Sequence, residues 1–479
     1  MNTAWLKRTN LLKVTLVVAA ALVAAWLVAL VGTQPRLAAA LDAPKYTVTD
    51  LGAFPRAINN SGQVVGGTSG DIAFLYEMGS MTELGVLPGG SSSAAWGIND
   101  VGQIVGESNF DETSGGRAIL YENGTMTNLG TLPNPGTYGR SVAYDINDSG
   151  QVVGVSDTME GSTDGRAHEH AFLFEDGTMT DLHALGSNDR SMAVAINNSG
   201  QIVGSEGFAN GGGTAFLYEN GNTTDLSARM GVYRSNPEDI SDSGQIVGNM
   251  LSSIGQESEH AFLYDTDGPV TDLGTLPGRN YSIAVAINSS GQIVGYSDLD
   301  DVSNATAFLY NGGAMTNLND LIPADSGWQL SQAIDINDSG TIVGWGINPN
   351  GQRHGFLLTP PYTFSGFFAP VDNYPTLNVV PQPAGTANQL LRFSLGSDQG
   401  TDIFENAYPS STRVACPSES PEDVVEETAA AEPSNLKYSG NGQYTYSWKT
   451  EKAWKGTCRE LNLRLKDGTD HKALFQFTR

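Results

Sequence analysis

One phrase recurs seven times in this chain of 479 residues. It is an Ile, a short polar turn ending in Gly, a Gln in most copies, then two branched apolar residues and a second Gly. The copies occupy residues 58–66, 98–106, 146–154, 196–204, 240–248, 287–295 and 336–344, and successive copies start 40, 48, 50, 44, 47 and 49 residues apart. Strand-like patterning at that period means blades or a solenoid, and it restricts the fold before any other property is considered.

Laid over each other, the copies encode four short strands. The first reads Ser-x-Ala-x-x-Ile-Asn, as from Ser141 to Asn147. Asn147-Asp148-Ser149-Gly150 then turns the chain, because Asn and Asp bond their own backbone and Gly takes a positive φ. Gln151-Val152-Val153-Gly154 starts the second strand, which makes a hairpin. The third strand is Ala-Phe-Leu-Tyr or a close variant, beginning at Ala73, Ala118, Ala171, Ala215, Ala261 and Ala307. A second tight turn, such as Glu175-Asp176-Gly177, leads to a fourth strand that alternates like Met126-Thr127-Asn128-Leu129-Gly130.

Four antiparallel strands per repeat is the blade of a β-propeller. The ends of the array favour a ring over a solenoid. A lone fourth strand, residues 46–52, precedes the first copy, and the seventh copy stops after Gly355-Phe356-Leu357-Leu358. Pairing the two fragments removes two sheet edges. The expected fold is all-β. A seven-bladed β-propeller spans 41–360, with blade seven closed by the N-terminal strand. A small β-sandwich spans 361–479, and an N-terminal apolar helix lies within 1–40.

Charge and export narrow the function classes. The net charge is −27, and the repeat array carries it: residues 46–359 hold 37 acids against nine arginines and no lysine. Such a surface repels nucleic acid and anionic lipid. Lys7, Arg8 and Lys13 precede an apolar run over 14–31, and Ala38-Ala39-Ala40 follows. This is a secretory leader cleaved after Ala40, or an uncleaved membrane anchor over 14–31. Either way the remainder is exported. Its two cysteines, Cys416 and Cys458, are then expected to form one disulfide.

Two resemblances agree with that location. His170-Ala171-Phe172, His260-Ala261-Phe262 and His354-Gly355-Phe356, together with the Ile-Asn-x-x-Gly-Gln-x-Val-Gly phrase, resemble the bacterial extracellular repeats called the HAF family. That resemblance implies a secreted or surface repeat protein and no defined activity. Ile72, Arg117, Thr214 and Thr306 stand where the other copies lack the His. The tail resembles the PxKF domain of bacterial exported proteins, through Phe364-Ser365-Gly366-Phe367-Phe368-Ala369-Pro370, Arg392-Phe393-Ser394-Leu395-Gly396 and Trp454-Lys455-Gly456-Thr457-Cys458. Leu390-Leu391-Arg392-Phe393 replaces the motif that names that domain. Alternation at Leu461-Asn462-Leu463-Arg464-Leu465 argues for strands independently.

No nucleophile elbow, phosphate loop or paired-cysteine metal motif is present in the sequence. Asp145, Asp239 and Asp335 each precede the Ile of a first strand. If that strand is innermost, they approach a central channel, where carboxylates can hold Ca²⁺. The plainer reading is a turn-stabilising Asp. Trp96, Trp328 and Trp345 are candidates for stacking on sugars, against simple blade packing. His168 and His170 face one side of a strand and could share a metal, against a repeat His beside a chance neighbour.

The reading is an exported, non-catalytic binding protein of the cell surface or extracellular space. Its partner is a glycan or surface protein, nucleic acid is excluded, and contact with the membrane is confined to the N-terminal segment. No cofactor is expected except Ca²⁺ at the three aspartates. The alternatives are a polysaccharide-acting enzyme using a channel-bound cation and a structural surface component.

Overall fold

The computed structural model describes residues 45–478, without 110–114, 134, 136–138, 160–167, 183–189, 208–213, 254–257, 266–267, 300–304, 382–384, 386–387, 397–400, 402, 406, 417–427, 431–434 and 468. The expected leader or anchor lies outside the described residues.

The architecture is all-β. Each repeat forms a four-stranded antiparallel sheet with its strands in sequence order. The third sheet is typical, with strands Ser141–Ile146, Val152–Thr158, His168–Glu175 and Thr178–Asp181. Seven such sheets are present among the described residues, and the seventh takes its fourth strand from the other end of the chain. Strand β1 (Thr47–Asp50) pairs with Arg353–Thr359, Thr47 opposite Thr359 and Asp50 opposite Phe356.

The repeated phrase is legible in the hydrogen bonds. Asn147 Oδ1 accepts from the amides of Ser149 and Gln151, at 3.1 and 3.0 Å, which builds the turn. Its Nδ2 donates to Gln151 Oε1 at 2.7 Å and to the carbonyl of Asn197 in the next sheet at 3.1 Å. Gln151 Nε2 in turn donates to Glu175 at the end of the third strand, at 2.9 Å. One Asn–Gln pair thus fixes a turn, ties two strands and reaches the neighbouring sheet.

The Gly that closes the phrase is required by space. A Cβ on Gly154 would lie 2.0 Å from the carbonyl oxygen of Val142 and 3.0 Å from the Phe172 ring. Phe172 stands opposite Gly154 in the ladder and is fully buried, as are Phe74, Phe216, Phe262, Phe308 and Phe356 in other sheets. Each such ring contributes about 1.5–3 kcal/mol by leaving water. The apolar clusters bridge consecutive sheets. Val105 and Ala118 of the second pack with Ile146 and Phe172 of the third. Val343 of the seventh packs with Ile58, Val64 and Phe74 of the first.

Beyond the repeats lie two further sheets. One contains Phe367–Phe368, Gln389–Ser394, Gln443–Trp448 and Leu436–Gly440. The other contains Leu377–Val380, Asp470–Phe477, Cys458–Arg464, Ser410–Val414 and Thr428–Ala430. They share a single core that includes Phe393, Tyr444, Trp448, Leu463 and Phe475. Cys416 and Cys458 form a disulfide beside the pairing of Val414 with Cys458.

Candidate functional site

Turn residues from all seven sheets line one central opening of about 200 Å³. Two rings of hydrogen bonds run round its rim. In the inner ring, each phrase Asn donates Nδ2 to the carbonyl of its counterpart in the next sheet: Asn59 to Asn99, Asn99 to Asn147, Asn147 to Asn197 and Asn197 to Ser241. It resumes from Asn288 to Asn337 and returns from Asn337 to Asn59, all at 2.9–3.1 Å. In the outer ring, backbone amides donate to Asp100, Asp148, Asn198, Asp242, Asp338 and Asn60. Both rings break between the fifth and sixth sheets, where Ser241 replaces Asn and Ser289 replaces the carboxylate or amide. A hydroxyl on one carbon is too short to cross that joint.

Asp145, Asp239 and Asp335 stand behind this rim, and each joins two sheets. Asp145 accepts from its own neighbour Ile146 and from Ile196 in the fourth sheet, both at 2.8 Å. Asp239 accepts from Ile240 at 2.7 Å and Ile287 at 2.9 Å, the latter across the joint that the Asn ring misses. Asp335 accepts from Ile336 and from Ile58 of the first sheet, both at 2.7 Å. The three residues are half-buried; Asp145 and Asp335 each precede an Ile that lines the opening, and none of the three lines it itself. Burial pushes Asp145 and Asp335 up to about 7 and raises Asp239 as well; repulsion from other carboxylates, Asp239 for the first two and Asp242 for Asp239, adds to it and the amide bonds oppose it. These are staples between sheets, and both oxygens of each are committed to amides. Among the described residues no group of three or more His, Cys, Asp or Glu could hold a metal ion.

One residue further back, every first strand carries a β-bulge. The ladder register shifts between Pro55 and Ala57, Ala95 and Gly97, Ala143 and Asp145, Ala193 and Ala195, Pro237 and Asp239, Ala284 and Ala286, and Ala333 and Asp335. The bulged residues are Arg56, Trp96, Tyr144, Val194, Glu238, Val285 and Ile334. None of them is buried, although the residue before each one is. Bulges re-aim side chains, and here seven in register deliver charged, aromatic and aliphatic groups from equivalent positions. Glu238 is the one exposed residue of the seven, and it stands beside the Asp239 carboxylate.

Four sheets then build one cluster. The Arg56 guanidinium carbon lies 4.2 Å from the centre of the Trp96 ring and 5.2 Å from that of Trp345. Arg353 lies over the Trp345 ring at 4.5 Å, Trp345 packs edge-on against Phe54, and Trp96 packs edge-on against Tyr144. Trp345 Nε1 donates to the carbonyl of Pro55 at 3.2 Å, which fixes that indole. At the Phe54 end of the first strand, Phe54, Arg56 and Trp345 line a groove of about 510 Å³ with Thr68, Ser92 and Asn109.

Of the three tryptophans singled out by sequence, Trp96 and Trp345 meet around Arg56. Trp328 stands apart, half-buried and edge-on to Phe356 in the seventh sheet's core. His170 is hydrogen-bonded to Asp181 at 2.8 Å, and His168 lies buried on the same strand. Sequence reasoning missed Arg56 and Glu238. The available signal was that the residue two before the phrase Ile varies in charge and size while its neighbours repeat.

The family described as Protein of unknown function (DUF3466) matches residues 89–230 and 222–398. No curated protein matches the chain in sequence. Among solved structures, TolB from Acinetobacter baumannii is similar over 47% of this chain and 53% of its own, at 10% identity and a TM-score of 0.32. The β-propeller domain of the Trilobed protease from Pyrococcus furiosus is similar over 59% and 99%, at 10% identity and a TM-score of 0.30. A puromycin-hydrolysing peptidase from Mycobacterium tuberculosis is similar over 73% and 58%, at 12% identity and a TM-score of 0.41. The chain spans about half the length of the first of these. The all-β architecture is propeller-like, and none of the three says what this chain binds or cleaves.

Proposed function

This chain belongs to the DUF3466 family, a family of unknown function, and from that premise we propose that it is an exported, non-catalytic binding protein of the cell surface or extracellular space. Its scaffold is a seven-bladed β-propeller closed by β1, followed by a small β-sandwich over 361–479. The pairing of Thr47–Asp50 with Arg353–Thr359 and the return of the Asn ring from Asn337 to Asn59 support the closure. The core shared by the last two sheets supports the sandwich. Export is supported by the leader-like residues 1–40 and by the Cys416–Cys458 disulfide, a bond that persists in oxidising compartments. The resemblances to HAF repeats and to the PxKF domain fit the same location.

The observation that carries this reading is the contrast between constant and variable positions. The repeated Asn, Gln, Gly and Phe are committed to bonds and packing inside the scaffold. The seven bulged positions differ from one another, and three of them (Arg56, Trp96 and Tyr144) form a contiguous aromatic and cationic surface. Rigid scaffolds with local variation are how repeat proteins recognise ligands. The enzyme alternative is less well supported, because the carboxylates it needs are engaged with backbone amides.

The test is retention of the full chain on a panel of glycans and envelope fractions, with calcium and with chelator. Selective retention that falls in a Trp96→Ala/Trp345→Ala variant is the expected result. Loss in chelator alone would move the site to the three aspartates. No retention on any surface, with self-association of the purified chain, would favour the structural alternative.

A further inference from the structure

We propose that Arg56, held between Trp96 and Trp345, is the anion-recognising centre of a site for saccharides bearing an isolated carboxylate. The proposal rests on the binding-module reading and names the ligand class for it.

Among the described residues Arg56 is a cation without a counterion. Neither its guanidinium nor that of Arg353 has a hydrogen bond or ion pair among the described residues. Other arginines of the repeats are engaged: Arg140 with Glu107 at 3.1 Å, Arg234 with Glu259, and Arg279 with Thr306 at 2.8 Å. In a region with 37 acids and nine arginines, a carboxylate for Arg56 would be easy to supply. Instead the chain surrounds it with indole. Stacking holds a guanidinium in place while leaving its in-plane donors available, which prepares it for a planar, two-point bond to a carboxylate. The environment has a cost, since burial lowers the Arg56 pKa with no acid to offset it. The indole N–H of Trp96, the ring Arg56 covers, is buried and likewise has no partner. The Arg56 nitrogens, by contrast, are not fully buried, so they remain open to an acceptor entering the groove that Arg56 lines.

The groove selects the ligand class. Its volume of about 510 Å³ falls in the usual range for small-molecule sites, and it suits one or two sugar rings. The aromatic residues Phe54 and Trp345 line it together with the polar residues Thr68, Ser92 and Asn109. That mixture matches a sugar, which is apolar on its faces and polar round its edge. Asp71 and Glu107 also line the groove, so a second negative charge on the ligand would be repelled. A polyphosphate or nucleic acid is therefore disfavoured, and a single carboxylate among neutral groups is favoured.

The experiment is titration calorimetry of the full chain with digalacturonate monomethyl ester, with neutral galactobiose, with inorganic phosphate and with a short peptide carrying one glutamate. The expected result is preference for the singly charged saccharide. Arg56→Gln should weaken its binding by roughly ten- to a hundred-fold, the loss typical of a charge-assisted bond, with an unchanged melting temperature. Arg56→Lys keeps the charge without the planar fork and should restore only part of the affinity. Equal binding of galactobiose would overturn the carboxylate site while leaving the binding-module reading intact. Preference for the peptide or for phosphate would overturn it in favour of another ligand class. No binding of any probe by a chain that the glycan panel retains would overturn this site alone, whereas failure on both would count against both readings.

Discussion

Nδ1 of His354 lies 2.8 Å from Oδ1 of Asp50, a residue 304 positions earlier in the chain. The same bond joins His170 to Asp181 at 2.8 Å in the third sheet and His260 to Asp272 at 3.1 Å in the fifth. Strand β1 therefore carries the fourth-strand chemistry of the repeat, and its Asp replaces the one that the seventh copy lacks. Where the His is absent, the partner has another task. In the fourth sheet, Asp225 caps the helix Leu226–Met230 by accepting from Ala228 at 2.8 Å, and Thr214 stands at the His position.

Breaking this pair should loosen the seventh sheet. Burial alone would raise Asp50, but bonds from Asn348, the Gly52 amide and His354 outweigh it and hold the carboxyl below its usual 3.8. A depressed acid contributes stability above its unfolded pKa and loses it as pH falls through the folded one. Asp50→Asn is expected to cost about 1 kcal/mol at neutral pH, a modest figure because the pair is partly exposed. The difference from the parent should vanish in strong acid. Urea unfolding at several pH values reads this directly, and a deficit that persists in acid would contradict it.

The axial carboxylates predict the opposite sign. Asp145 and Asp335 stand at about 7 against an ordinary 3.8. An acid raised by folding contributes stability that is complete below its unfolded pKa and is lost as pH rises through the folded one. The parent should therefore lose stability between these two values, relative to an Asp145→Asn/Asp335→Asn variant that cannot ionise. Melting temperatures of both chains across that window test this. Parallel profiles would mean that the carboxylates are no more costly to ionise in the fold than in the unfolded chain.

The break in the Asn ring offers a gain. Ser241→Asn should let an amide cross to the carbonyl of Asn288, as Asn197 crosses to Ser241 at 3.0 Å. One added intramolecular bond is worth about 1 kcal/mol. Denaturant midpoints of parent and variant measure it, and a loss of stability would show that the joint between the fifth and sixth sheets is too wide or already filled.

The disulfide should act locally. Cys416 and Cys458 are 42 residues apart, and opening such a loop costs about 4 kcal/mol on the chain-entropy account. A Cys416→Ser/Cys458→Ser variant is expected to lose hydrogen-exchange protection in the last two sheets while Ala171–Phe174 and its counterparts stay protected. Loss of protection in both regions would mean that the two parts unfold together.

Much of the scaffold is legible because its causes are local. Asn147, Gly150 and Gln151 act within a few residues of one another, so the phrase announces its own turn. The bulge is written there too. Ala143 and Ile146 are both buried and three apart, an odd spacing that a strand of period two accommodates only with an extra residue. The site is less legible. Arg56, Trp96 and Trp345 come from the first, second and seventh sheets, and no spacing in the chain announces that they meet. Trp328 has the same composition signal and a different fate, because it packs on Phe356 instead. The three aspartates were found at their positions, but what they bond to depends on the next sheet's amides, which sequence alone does not position.

The alternation of the carboxylate staples constrains how such a protein can change in size. Asp145, Asp239 and Asp335 join sheets three to four, five to six and seven to one, and no two carriers are neighbours. The sheets are thus coupled in twos, with the second left over. There Gly97 leaves no room for a carrier, since even a Cβ would lie 2.8 Å from the Tyr144 carbonyl oxygen. A duplication that copied one repeat would either set two desolvated carboxylates side by side or leave a joint unfastened. A duplication that copied a carrier with its recipient would keep the desolvated carboxylates apart, at the cost of one more joint without a staple.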